Sequence, residues 1–180
     1  MSFAPDITEQ LARARADLRM GVPVVLADGA QAALVLAAET LTAQRLADVL
    51  ALGGAPVLAI TARRAETLKA RAYDGQLARV LLPHSATPAW VQSIADPADD
   101  LRAPMKGPLQ TARGGDTTAH SAALDLVKAA RMLPAALVLD LPQGADFARL
   151  HGLTLIDLAA AAPILARRSA LHPVVNARLP

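Results

Sequence analysis

The segment from Arg102 to Leu141 limits most sharply what this chain can fold into. A connection rich in Gly, Pro and polar residues feeds a helix-forming stretch holding one histidine, and the apolar run Ala135 to Leu141, broken only by Asp140, follows directly. A run of that length without apolar/polar alternation reads as a strand buried on both faces, which requires helices above and below it. The loop entering the helix collects free backbone N–H groups, so a ligand is sought there first.

The rest of the chain follows the same pattern. Asp6 and Glu9 have the spacing of a capping box, and Ile7, Leu11, Ala14 and Leu18 recur on one helical face as far as Gly21. Pro23 to Ala27 and Ala32 to Ala38 read as strands joined by a tight turn at Asp28-Gly29. Thr42 caps a helix that turns Leu46, Val49 and Leu50 inward and stops at Gly53-Gly54. Pro56 to Thr61 is a buried strand, Arg63 to Ala70 a short helix, Ala78 to Leu82 a strand and Trp90 to Ala95 another short helix. Asp96 to Asp116 lacks periodicity and is expected to be a long connection. A helix over Ala119 to Ala130 buries Ala123, Leu126 and Val127 before the strand Ala135 to Leu141. A turn at Pro142 to Gly144, a helix near Phe147, a strand Thr154 to Ile156 and a helix Leu158 to Arg168 close the series. The expected class is α/β, with α+β character from the early hairpin: a three-layer α/β/α sandwich around a mixed sheet. It forms a single domain over 1–180, with a linker after about residue 172.

Composition removes several functions. The 180 residues are 53% hydrophobic and 19% charged, enough to bury a core without staples. A net charge of +2 without blocks of like charge, and an aromatic content of 2%, leave nucleic acid little to bind or stack on. The absence of cysteine excludes a disulfide scaffold, a thiolate metal site and a thiol nucleophile. The polar opening MSFAPDITEQ lacks a signal-peptide layout and no apolar run is long enough for a bilayer, so a cytoplasmic protein away from membranes is expected.

Several motifs lie in a recognisable order. DLRMGVPVVLAD, then ALVLAAETLT with Ala37-Ala38-Glu39, then IADPADDLRAPMKGPLQTARGG, LVLDLPQG and LHGLTLIDLA together resemble the 3,4-dihydroxy-2-butanone 4-phosphate synthases along nearly the whole chain. That resemblance implies a ribulose 5-phosphate substrate, a magnesium-type ion, and acid–base residues that rearrange the sugar and expel formate. It also implies what is missing. The family's acidic Arg-Glu-Asn-Glu-Gly-Asp loop is replaced by Asp28-Gly29-Ala30-Gln31-Ala32, with one carboxylate. Its Gly-His-Thr-Glu helix start is Ala119-His120-Ser121-Ala122, its catalytic Glu corresponds to Asp140, and its Thr-Thr-Gly-Ile-Ser phosphate loop gives way to His84-Ser85-Ala86-Thr87. Without paired carboxylates the hard oxygen ligands and the general base are lost. The final VVNARLP resembles the start of a GTP cyclohydrolase II domain, to which a shrunken synthase-like domain is fused in some bacteria.

The candidate residues each carry two readings. His120 is a vestigial catalytic, phosphate or metal residue, or a locally bonded helix-terminal histidine. Asp140 is a residual functional carboxylate, or a cap or ion-pair partner. Arg113, Gly114, Gly115 and Asp116 form an anion-binding nest, or a flexible surface turn. His84, His151 and His172 lack mutual ligand spacing, and Arg63-Arg64 and Arg167-Arg168 read as solvated helix-end cations. No catalytic residue, metal or cofactor is assigned. The leading expectation is a non-catalytic synthase-like domain with an assembly or regulatory role in a riboflavin-biosynthesis GTP cyclohydrolase II protein, pairing as a homodimer. The alternatives are an active synthase using Mg, and a stand-alone module binding a sugar phosphate, a nucleotide or another phosphate-bearing small molecule.

Overall fold

The capping box forms as the sequence predicts: Asp6 accepts from the Glu9 N–H, and Glu9 accepts from the Asp6 N–H, opening helix α1 (Ile7–Arg19). The computed structural model describes residues 3–104 and 106–166. Strands β1 (Val24–Asp28) and β2 (Gln31–Ala37) make the early hairpin. There follow α2 (Ala43–Ala51), β3 (Val57–Thr61), α3 (Ala62–Thr67), β4 (Leu77–Leu81) and α4 (Pro88–Ala95). A 3-10 turn (Pro97–Asp99), α5 (Thr118–Ala129), β5 (Ala135–Leu141), α6 (Gly144–His151), β6 (Thr154–Asp157) and α7 (Leu158–Leu165) complete the described elements.

The six strands form one sheet in the order β4-β3-β5-β2-β1-β6, antiparallel except for the β1–β6 pair. Because side chains alternate along a strand, β5 feeds two cores. Ala135, Leu137 and Leu139 pack with α2, α3, α4 and α6; Ala136 and Val138 pack on the other side with α1, α5 and α7. This is the three-layer sandwich around a mixed sheet that the apolar runs predict.

The structure corrects four details. The two loop residues of the hairpin are Gly29 and Ala30, since Asp28 still pairs with Gln31; Gly29 takes the positive φ such a turn needs. Leu50 is exposed, because α2 turns only Leu46 and Val49 fully inward. The long connection is not free of the sheet: the N–H of Leu81 donates to Gln110 O and that of Ala112 to Arg79 O, so residues 110–112 cover the outer edge of β4. Arg64 is buried rather than solvated. Its Nε donates to Ile94 O at 2.6 Å, and its Nη1 and Nη2 grip the two Asp100 oxygens at 2.6 and 2.7 Å, which gives the charge more partners than water would have to replace. Arg167, Arg168, His172 and the VVNARLP segment lie outside the described residues.

Helix α6 sits hard against the hairpin. A Cβ on Gly144 would lie 2.2 Å from Ala32 Cβ and 3.2 Å from Val25 Cγ1, so only glycine fits. Gln143 before it takes a left-handed φ of 70° to bring the chain round.

Candidate functional site

Strand register gathers charged residues on the α5 side of the sheet. Asp140 faces Ala33 across β2, and Ala33 faces Leu26 in β1; Asp28, two residues further along β1, shares that side. Arg79 in β4 faces Ala59, which faces Ala136 in β5, so its side chain emerges on the same side. With His120 from the first turn of α5 and Asp116 from the loop before it, they line a cleft of about 660 Å³ floored by apolar side chains including Val57 and Val138.

Arg79 is 8% exposed and pinned in place. Its Nε donates to Asp74 Oδ2 at 2.8 Å and its Nη2 to Asp74 Oδ1 at 3.1 Å, while Nη2 also donates to Gly114 O. A buried bidentate pair of this kind fixes the guanidinium and with it the 113–116 loop. Asp116 closes that loop on α5, accepting from the Thr118 hydroxyl at 2.8 Å and the Thr118 N–H at 3.3 Å. These bonds hold the Asp116 carboxyl below the usual carboxylate range.

His120 is 6% exposed, and its Nδ1 is the buried side-chain nitrogen or oxygen that lacks a hydrogen-bond partner among the described residues. Burial pushes the imidazole pKa down, and the neighbouring Arg79 charge pushes it the same way, so the ring is neutral at pH 7. The Asp28 and Asp140 carboxylates are exposed to the cleft and make no hydrogen bond or ion pair among the described residues.

Of the residues singled out from the sequence, the fold brings His120, Asp140, Gly115 and Asp116 to this cleft together with Asp28. Gly114 contributes its carbonyl to Arg79. Arg113 points elsewhere, its guanidinium carbon 4.4 Å from the centre of the Tyr73 ring. His84 is exposed, and His151 packs on Phe147 with ring centres 4.3 Å apart. Sequence reasoning missed Arg79 and Asp74. The signal was an arginine inside the otherwise apolar LARVL strand, where a charge persists only if partnered.

The donor set does not suit magnesium. Magnesium takes an octahedron of oxygen ligands, and Asp28 and Asp140 come from strands two apart in the sheet. Among the described residues no three His, Asp or Glu side chains converge as metal ligands.

Comparison with known proteins places this architecture. A 3,4-dihydroxy-2-butanone 4-phosphate synthase from Candida albicans superposes with a TM-score of 0.64 over 87% of this chain and 97% of that one, at 16% identity. A synthase solved with two magnesium ions gives 0.61 over 86% and 95%, also at 16% identity. A two-domain synthase from A. baumannii gives 0.58 over 83% of this chain and 56% of that one, at 18% identity. The fold is that of the 3,4-dihydroxy-2-butanone 4-phosphate synthases. In sequence, this synthase-like domain is 35% identical over 130 residues to a GTP cyclohydrolase-2 from Azospirillum brasilense, a match that covers 70% of the chain. The domain spans about a third of that relative, 33% of its length. No family model matches the chain. Among the described residues no helix is long and apolar enough to cross a membrane.

Proposed function

We propose that this synthase-like domain is non-catalytic and serves assembly or regulation in a GTP cyclohydrolase II protein of riboflavin biosynthesis, working in the cytoplasm as a homodimer. The sequence relationship to a GTP cyclohydrolase-2 supports the context. The observation that carries the loss of chemistry is the cleft itself. The hairpin end that would present an acidic loop is reduced to the turn Gly29-Ala30, and among the described residues no three His, Asp or Glu side chains converge as metal ligands. A sugar rearrangement needs positioned proton donors and acceptors, each worth roughly 10² to 10⁴-fold in rate.

The test is turnover of ribulose 5-phosphate by the purified chain in excess magnesium. No dihydroxybutanone phosphate above background is expected. A rate within tenfold of a complete synthase would remove the reading and establish an active enzyme with a rearranged site. Light scattering on the same preparation is expected to return twice 18.7 kDa; a monomer would remove the assembly role.

A further inference from the structure

The sequence carries the dipeptide Asp-Gly twice, at Asp28-Gly29 and at Asp74-Gly75, and the fold treats the two in opposite ways. In both the glycine takes a positive φ, 57° at Gly29 and 71° at Gly75, so the backbone turns alike. At the hairpin end Asp28 and Gly29 are exposed, the carboxylate has no protein partner among the described residues, and a Cβ added to Gly29 would meet nothing within 4 Å. The Gly29 N–H makes no hydrogen bond among the described residues either, because the ladder of the hairpin ends at the pair of Asp28 with Gln31. Asp74, by contrast, is held. Its side chain is 6% exposed, and its two oxygens accept from Arg79, at 2.8 Å from Nε and 3.1 Å from Nη2.

We propose that Asp28-Gly29 is a site of spontaneous aspartate isomerisation, and that Arg79 protects Asp74-Gly75 from the same reaction. The Asp28 carboxylate takes a proton from solvent, and the Gly29 nitrogen attacks Cγ. A C–N bond forms and a C–O bond breaks; the oxygen leaves as water with the acid proton and the proton from the nitrogen, which closes a succinimide ring. Water then adds to one of the two ring carbonyls. Opening at Cγ restores aspartate, opening at the backbone carbonyl leaves the chain running through Cγ as isoaspartate, and either returns the proton to solvent. Nothing is oxidised or reduced. The step is intramolecular, so its rate follows how often the two groups reach attack geometry. Glycine brings no side chain to hinder that approach, and at position 28 neither group has a bond to give up first. At position 74 the carboxyl must first leave a buried bidentate pair, whose charge-assisted bonds are among the strongest a side chain makes. The product alters the site, since isoaspartate lengthens the backbone at a tight turn and shifts a carboxylate that lines the cleft. The chemistry is the same whether or not the cleft is catalytic.

The experiment ages the whole chain at neutral pH in water labelled with heavy oxygen, then digests it with trypsin in ordinary water. Each opening of a succinimide leaves one heavy oxygen in the residue. The peptides 20–45 and 72–79 each hold one aspartate, so mass spectrometry with fragmentation reads the two sites separately, and chromatography resolves isoaspartate from aspartate. In the folded chain, label and isoaspartate at Asp28 are expected to exceed those at Asp74 about tenfold or more, the factor supplied by one charge-assisted hydrogen bond that must break first. In urea the two sites are expected to label alike, because both dipeptides are then equally free. Arg79→Lys keeps the charge and the tryptic cut but loses the two-nitrogen grip, and is expected to raise the label at Asp74 while leaving Asp28 unchanged. If that variant does not fold, the urea comparison decides. Equal labelling of the two sites in the folded chain, an excess at Asp74, a difference that persists in urea, or an Asp74 unmoved in a folded Arg79→Lys chain would each overturn the proposal.

Discussion

Two polar clusters sit in this domain and they are finished to different degrees. At the α3–α4 side, Arg64 donates to the Ile94, Ser93 and Asp96 carbonyls and to both oxygens of Asp100, and Lys106 donates to Ser93 O and Asp100. Those carbonyls belong to the last turn of α4 and its end, where a helix leaves acceptors without intrahelical donors, and two cations there also meet the negative end of its dipole. At the cleft, by contrast, two carboxylates and an imidazole nitrogen have no protein partner among the described residues. The first cluster consumes its own polarity to hold the long connection against the sheet. The second leaves polarity unspent, and unspent polarity is what a ligand can use.

The contrast can be broken by mutation. Arg64→Ala strands Ile94 O and the shared carboxylate, and is expected to cost about 3 kcal/mol or more in urea unfolding. A loss under 1 kcal/mol would mean that the clasp is ornamental. Asp100→Asn is the next largest, about 1–2 kcal/mol at neutral pH. Its pH signature is sharper. The Arg64 hydrogen bond first, and Lys106 second, hold the Asp100 carboxyl well below its ordinary value of 3.8. The folded state therefore releases that proton more readily than the unfolded chain, and the resulting stability is present above pH 3.8 and lost as pH falls below it. Stability curves of the wild type and Asp100→Asn should converge below that point; parallel curves would disprove the linkage.

His120→Leu completes the series with the smallest effect and the opposite sign. Replacing an unpartnered buried imidazole by an apolar group of similar bulk leaves stability within about 1 kcal/mol of wild type at pH 8, and is expected to raise it. Since burial lowers the imidazole pKa below 6.5, the wild type loses stability as pH drops from that value while His120→Leu does not. A large loss at pH 8 would show that His120 is structural and that its nitrogen is satisfied in solution.

What could be read in advance divides along the same line. The strand Ala135–Leu141 and the Asp6–Glu9 cap were legible to the residue, because each rests on neighbours in sequence. Leu50 misled because apolarity marks a candidate for burial without stating which way a short helix turns. The lone arginine in LARVL marked that a partner was needed, but the distant partners could not be read, because Asp100 lies 36 residues from Arg64 and Gly114 lies 35 from Arg79. Periodicity reports faces, not partners. The cleft stood in between: His120, Asp116 and Asp140 could be named from their positions, but their union with Asp28 came from strand register, which a hairpin and two later crossovers decide.

The contact between Gly144 and Ala32 bears on how such a domain can change over time. Position 144 cannot gain a methyl group unless position 32 yields space, and alanine has only glycine below it. Position 144 is therefore closed to substitution until position 32 has first become glycine. A lineage can trade away Asp28 and Asp140 one substitution at a time, since both are exposed and neither bears on packing, yet the seam between α6 and the hairpin permits no such free drift. Ancestry in this domain is better recorded by its smallest side chains than by its reactive ones.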